Sequence, residues 1–190
     1  MILTLTGASG AGKTTIAKRL IEALPNTQFL LSSTTRAPRP SDLPGEYEYL
    51  DQAAFDRCRE DGSFEWTARV GSTSHGTRSD HLRDALLNPS AISIMILVPE
   101  VLKQLYAYAD RIGKRDAIRS FLILTLPESI LRARMHERGD VDAQIDERII
   151  ATRSYETTAR ETGVTFFEIR NDREIEETMR EVLQALKQQG

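Results

Sequence analysis

The run Gly7-Ala8-Ser9-Gly10-Ala11-Gly12-Lys13-Thr14 fits G-x-x-x-x-G-K-[ST], a loop whose chemistry is the holding of a phosphate chain. Its glycines let backbone N–H groups turn inward with no Cβ in the way, and a helix N-terminus behind them favours anions. Lys13 would reach the β- and γ-phosphates of a nucleoside triphosphate, and the Thr14 hydroxyl would sit on a magnesium ion. ATP and Mg²⁺ are the cofactors this implies. Gly7, Ala8, Ser9, Gly10, Ala11, Gly12, Lys13, Thr14 and Thr15 form the contacting run, with Thr14 as the metal contact.

Two further basic sets could serve a second phosphate. Ser32-Ser33-Thr34-Thr35-Arg36-Ala37-Pro38-Arg39-Pro40 sets two arginines three apart beside hydroxyls, with prolines stiffening the approach. A guanidinium presents a fixed fork that matches phosphate oxygens two at a time. The bland alternative is surface charge beside a loop, and Tyr47 and Tyr49 could simply pack nearby. Farther on, Arg134 and Arg138 are one helical turn apart, and Arg148 follows beyond the break at Gly139-Asp140-Val141-Asp142. A flexible break flanked by arginines reads as a lid closing over a transferring phosphoryl group. The competing reading is a solvated helix face whose arginines pair with Glu137, Asp146 and Glu147.

The elements that must position these residues alternate along the chain. Ile2 to Thr6 reads as a buried strand, and Ile16, Leu20, Ile21 and Leu24 mark an amphipathic helix behind the glycine loop. Strands are expected at Phe29–Ser32, Phe64–Val70, Ala91–Val98, Phe121–Leu126 and Val164–Ile169. Helices are expected at Gln52–Arg59, at Ser79–Leu87 (ended by Asn88-Pro89), at Pro99–Ala109, after Pro127, around Ile145 and Ile149, and from Ile175 to Leu186. A proline-rich connection runs from Ala37 to Gly45. The alternation predicts an α/β fold: a five-stranded parallel core sheet with helices on both faces. Residues 33–80 read as an inserted acceptor-binding lobe and 134–159 as the lid region. The core then comprises 1–32, 81–133 and 160–190, all within one domain.

Composition narrows the class. Apolar residues make up 40% of the 190, enough for a two-faced core, and no run approaches a membrane span. A net charge of −3 argues against a general nucleic-acid binder. The single cysteine, Cys58, excludes an internal disulfide framework and suits a reducing cytoplasm. His75, His81 and His136 are scattered, without metal-ligand spacing. The expected partners are small-molecule nucleotide substrates, with no nucleic acid and no membrane; a homodimer is left open.

Over nearly its full length the chain resembles the guanylate kinase branch of the nucleoside monophosphate kinases. The family's S-x-T-T-R-x-P-R stands here as Ser32 to Arg39, and its G-x-[DE]-Y-x-F as Gly45-Glu46-Tyr47-Glu48-Tyr49, one residue shorter. The lid pattern R-L-x-x-R-G with I-x-x-R reads Arg134-Met135-His136-Glu137-Arg138-Gly139 and Ile145-Asp146-Glu147-Arg148, and the late N-D pair is Asn171-Asp172. The resemblance implies ATP-dependent transfer to GMP or dGMP. It implies that Ser32, Arg36, Arg39, Tyr47, Glu65, His75 and Thr77 bind the acceptor. Lys13, Arg36, Arg134, Arg138 and Arg148 would act on the group in flight, and Asn171 would lie near adenine. Such chemistry needs no strong base, because a monophosphate is largely dianionic at neutral pH. The obstacle is repulsion between phosphates, and the remedy is positive charge and positioning.

Departures bear on the acceptor. The family reads guanine with the glutamate of F-[IL]-E-W; here the segment is Phe64-Glu65-Trp66. Counting without gaps from Phe64 to Gly76-Thr77 puts Trp66 at the base-reading position, whereas a deletion with a compensating bulge restores Glu65. His75 replaces a tyrosine, and the family's D-x-D strand end is absent from Ser93 to Val98. Another phosphorylated acceptor, such as ribose 1,5-bisphosphate or a different nucleoside monophosphate, and a non-catalytic module binding a phosphorylated partner are the alternatives.

Overall fold

The structure is a computed structural model describing residues 1–39 and 42–187. Pro40, part of the proline-rich connection, lies outside the described residues.

The first strand, β1 (Ile2–Gly7), is buried at every position because it lies mid-sheet. It pairs in parallel with β7 (Ile92–Ile96) on one side and β8 (Ile118–Ile123) on the other. β2 (Thr27–Phe29) flanks β7 and β9 (Phe167–Ile169) flanks β8, both in parallel, so the order is β2-β7-β1-β8-β9. This is the expected five-stranded parallel sheet. Parallel strands buried on both faces demand apolar runs, and Ile92 to Ile96, in which only Ser93 is polar, is one.

Alternation along β1 sends side chains to two cores. Leu3 and Leu5 meet Ile16 and Leu20 of α1 (Lys13–Ala23), Met135 of α5 (Glu128–Glu137), Ile145 of α6 (Asp142–Thr152) and Val182 of α8 (Ile175–Lys187). Ile2 points the other way, toward Leu82 and Leu86 of α3 (Ser79–Leu87) and Val101 and Leu105 of α4 (Pro99–Arg111). Each such side chain contributes roughly 1.5–3 kcal/mol of burial. Thr4, fully buried in the sheet, satisfies its hydroxyl by donating to Ser120 Oγ at 2.7 Å.

A second sheet, of order β4-β3-β6-β5, is built from β3 (Ser32–Thr34), β4 (Tyr47–Tyr49), β5 (Phe64–Val70) and β6 (Thr73–Arg78). One face is covered by α2 (Gln52–Glu60), which starts where the Asp51 carboxylate accepts from the Ala54 N–H at 2.7 Å. On that face the rings of Phe55 and Phe64 stand 4.8 Å apart. Gly76 lets the Phe64 ring cross over it, since a Cβ there would fall 2.9 Å from a ring carbon. The pairings Ser32 with Tyr47, Thr34 with Tyr49 and Thr34 with His75 set those five side chains on the opposite face.

Three expectations need correction. The strand read as Phe29–Ser32 is two strands in different sheets. Leu30 N–H still donates to Ile94 O in the core (2.9 Å), while Ser32 N–H donates to Glu46 O (3.2 Å) in the second sheet. The apolar run passes unbroken through this change of sheet because Leu30 is itself buried. β8 begins at Ile118 rather than Phe121, because Arg119 turns its guanidinium back onto the Asp116 and Ile118 carbonyls and so does not end the strand. A separate helix, α7 (Tyr155–Glu161), lies between α6 and β9, where no element was expected.

Candidate active site

The glycine loop joins the C-terminal end of β1 to α1, in the strand, loop, helix context its motif requires. Gly12 has φ of +100°, and a Cβ on it would lie 2.0 Å from Asn171 Nδ2, so only glycine fits. Asn171 is buried beside the loop. Its Nδ2 donates to Ala11 O at 2.8 Å, and its Oδ1 accepts from the Thr178 hydroxyl of α8 at 3.1 Å. Both ends of the amide are therefore engaged with the loop and with α8. Arg134 reaches the same place from α5, donating to Asn171 O at 2.8 Å and to Gly10 O at 3.5 Å.

Lys13 folds back over the loop, its Nζ donating to Gly7 O and Ala8 O, both at 2.8 Å. Burial of the ammonium, with Arg138 and Arg148 adding like charge, lowers its pKa to about 8. Arg138, at the C-terminal end of α5, and Arg148, on α6, share the largely buried carboxylate of Asp140 in the turn between those helices; Arg148 Nη1 stands 3.2 Å from it. The partners expected from sequence are not the ones used. Arg138 and Arg148 meet Asp140, Arg134 meets backbone carbonyls, and Asp146 is engaged by Arg132.

The open face of the second sheet carries the other set. The Arg36 guanidinium lies 5.0 Å from the centre of the Tyr47 ring, and the His75 ring meets Tyr47 edge-on at 6.2 Å. Arg36 donates from Nη1 and Nη2 to the two oxygens of Asp42, at 3.0 and 2.9 Å. Burial, with Arg36 and Arg39 adding, lowers His75 to about 4, which leaves the imidazole neutral at pH 7. Burial pushes the Tyr47 phenol up, so it stays a protonated donor. Arg39 is lowered by burial first and then by Arg36, Arg148 and Arg138. Arg138 and Arg148 thus bear electrostatically on both Lys13 and Arg39. Ser32 lies on the same face, while Thr77 is buried in β6.

Glu65 and Trp66 sit at an irregularity of β5. The register shifts between Phe64 and Trp66, so Phe64 pairs with Arg78, Trp66 pairs with Thr77, and Glu65 is the additional residue of a bulge. Both sequence registers captured part of this: a bulge is present, yet Trp66 holds the pairing position. Trp66 is 5% exposed, packed with Leu82, Leu86 and Leu105. The Glu65 carboxylate accepts from Arg111 Nη2 at 2.6 Å and from the Ser79 hydroxyl at 3.3 Å.

Sequence reasoning did not single out Asp42, Asp140 or Thr178. Asp140 was visible only as part of a turn. Asp42 carried one signal, an acid six residues after Arg36 in a loop that must return to Tyr47. Among the described residues, no group of three or more His, Cys, Asp or Glu side chains is arranged to hold a metal ion.

Known proteins resemble this chain in sequence and fold. A family model described as an AAA domain matches residues 3–157. The guanylate kinase of Helicobacter pylori is 36% identical over 154 residues, covering 78% of this chain and 70% of that protein. The chain belongs to the guanylate kinase family. The guanylate kinase of Myxococcus xanthus is 32% identical over 155 residues, covering 81% of this chain and 71% of its own. The crystal structure of guanylate kinase from Anaplasma phagocytophilum superposes with a TM-score of 0.69 at 22% identity, over 98% of this chain and 84% of that one. This guanylate kinase-family member is a nucleotide-binding phosphotransferase with a P-loop. No helix among its described residues is long and apolar enough to cross a membrane.

Proposed function

We propose that the protein transfers the γ-phosphoryl group of ATP to GMP or dGMP, giving ADP and GDP or dGDP, in a cytoplasmic setting. The observation that carries this reading is electrostatic. Arg138 and Arg148 act on Lys13 at the phosphate loop and also on Arg39 at the second sheet, so donor and acceptor phosphates would meet in one cationic cleft. Gathering charge there before substrates arrive is what transfer between two anions requires.

The residues fit a triphosphate. The loop from Gly7 to Thr15 runs into the start of α1, where anions are favoured, and Gly12 at φ +100° lets it close against Asn171 where a Cβ would clash. Lys13 would exchange its two carbonyl partners for β- and γ-phosphate oxygens. Mg²⁺, resting on the Thr14 hydroxyl, waters and phosphates, would supply charge neutralisation. Arg134 steadies the loop, and Arg138 and Arg148 would move onto the transferring group as residues 134–159 close as a lid. In the acceptor lobe, residues 33–80, the phosphate would lie against Arg36, Arg39, Tyr47, Ser32 and the neutral imidazole of His75. Thr77 and Glu65 are the candidates for the base end, and a contact from Glu65 requires its tie to Arg111 to open. A reducing compartment suits Cys58, which is a free thiol.

The test is ADP release from ATP and Mg²⁺ with GMP, dGMP, AMP, CMP, UMP, dTMP and ribose 1,5-bisphosphate, alongside the Lys13→Ala variant. Turnover of GMP and dGMP, lost by at least about a hundredfold in Lys13→Ala, is expected. Turnover confined to another acceptor overturns the guanine assignment. Undiminished turnover in Lys13→Ala overturns the phosphate-loop role.

A further inference from the structure

One carboxylate in the acceptor lobe is bonded to more of the phosphate-binding apparatus than any residue so far assigned a role. Asp42 Oδ1 accepts from Arg36 Nη2 at 2.9 Å. Its Oδ2 accepts from Arg36 Nη1 at 3.0 Å, from the Arg39 backbone N–H at 2.7 Å and from the Tyr49 hydroxyl at 2.6 Å. Four donors from three residues converge on it, and two of those residues are the arginines proposed to hold the acceptor phosphate. The side chains of Asp42 and Arg36 are 13% and 12% exposed, so this is a sheltered ion pair and not a surface contact.

The geometry separates two roles for such a carboxylate. It could occupy the seat of the phosphate and compete with it, or it could hold the arginine from behind. Arg36 gives Asp42 the end of its fork, Nη1 and Nη2, and also donates from Nη1 to Ala37 O at 2.9 Å. Among the described residues Nε has no partner, and Nη2 keeps a second hydrogen. These two donors form the side edge of the guanidinium, which is itself a bidentate fork for a phosphate. The guanidinium also lies over the Tyr47 ring, 5.0 Å from its centre. Arg36 is thus fixed at its end, and from beneath by the Tyr47 ring, with one edge left to bind.

We infer that Asp42, braced by the Tyr49 hydroxyl, is the positioning residue of the acceptor site, presenting the side edge of Arg36 and setting the loop that carries Arg39. The inference rests on the proposed acceptor reading and adds to it the residues that pre-organise the phosphate seat. A long guanidinium held in place before binding loses less side-chain freedom when the acceptor arrives. Burial pushes the Asp42 carboxyl up, but the bonds from Arg36, Tyr49 and the Arg39 N–H outweigh it and hold the pKa below the usual value. The carboxylate is therefore charged at neutral pH.

The experiment compares wild type with Asp42→Asn, Asp42→Glu and Tyr49→Phe. It reads KM for GMP, KM for ATP and kcat, and by calorimetry GMP binding without ATP. Asp42→Asn should raise the GMP KM and Kd by about 10- to 100-fold, as expected when a charged hydrogen-bonding partner is lost. KM for ATP should stay within about twofold, since that site is elsewhere. Tyr49→Phe removes one hydroxyl and threatens the fold least; it should shift the GMP values by about 3- to 10-fold in the same direction. Asp42→Glu should recover part of the loss. An unchanged or lower GMP KM in Asp42→Asn overturns the inference, because the carboxylate is then idle or a competitor. Equal losses for ATP and GMP overturn it too, as they mark a general structural role. Wild-type protein that turns over no monophosphate overturns the acceptor reading and this inference together, whereas wild-type turnover with an indifferent Asp42→Asn overturns the inference alone.

Discussion

Lys13 carries two carbonyl partners at 2.8 Å and two arginines that repel it, and these influences set how the protein meets a triphosphate. Burial first, and then Arg138 and Arg148, bring its pKa to about 8 in the nucleotide-free protein. A triphosphate would supply the missing negative charge and raise that pKa again. The sign follows: above pH 8 the free side chain is largely neutral, so binding must first take up a proton. ATP affinity should therefore hold steady from pH 7 to 8 and then weaken by up to about tenfold per pH unit. Calorimetry of Mg·ATP binding between pH 7 and 9.5 measures this directly. Lys13→Arg is the control, because a guanidinium stays charged over that range and its affinity should stay flat. Equal flatness in wild type would show that Lys13 keeps its proton without nucleotide. The residue's role was legible because all of its determinants lie within eight consecutive positions. Its depressed pKa was not, because the arginines that share the cause are more than a hundred residues away.

Between elements, the loop is held by a strap that crosses from β9 to α8. Asn171 follows β9 and donates to Ala11 O, while Thr178 on α8 donates to Asn171 Oδ1. The Ala11 carbonyl, which can only accept, turns the amide nitrogen toward the loop, and the Thr178 hydroxyl supplies the donor that the oxygen then needs on the α8 side. Thr178→Val keeps the shape and removes that donor, leaving a buried carbonyl oxygen unpaired at a cost of about 1–3 kcal/mol. The expected outcome is a lower melting temperature together with a several-fold higher KM for ATP and an unchanged KM for GMP. Thr178→Ser should restore both. A melting loss without any change in the ATP KM would make the strap purely structural. Elements such as α3 were legible to the residue, since Ser79–Leu87 ends at Asn88-Pro89 and carries its own stop signal. The division of Thr27–Phe29 from Ser32–Thr34 was not, because Phe29, Leu30 and Leu31 carry the apolar run up to Ser32 without a break while the change of sheet falls after Leu30. The bulge at Glu65 was legible only as one of two registers, because its partners Arg111 and Ser79 are joined to it by folding and not by spacing.

Across the whole molecule, Trp66 joins the second sheet to the core. It is the chain's single tryptophan, it sits on β5, and its buried ring packs with residues of α3 and α4 as well as Leu30 and Met95. The closure proposed over an acceptor would need one part that moves and one that does not. This packing makes β5 part of the fixed side, because opening it would expose a large apolar ring and leave a cavity. β6, β3 and β4 are hydrogen-bonded to β5 in one sheet and are held with it, so the proposed closure would fall to residues 134–159, with the turn holding Asp140. Replacing Trp66 by alanine should cost about 3–5 kcal/mol, the usual range for a buried aromatic. For a chain of this size that corresponds to a fall of roughly 6–20 °C in melting temperature. Trp66→Phe, which keeps an aromatic ring at the seam, should lose less. The same side chain reports on the motion, since wild-type tryptophan fluorescence comes from this position alone. Saturating GMP should leave its emission maximum in place, while chemical unfolding should shift it to the red. A red shift on GMP binding would mean that the seam itself opens, and the fixed part of the lobe would have to be sought elsewhere.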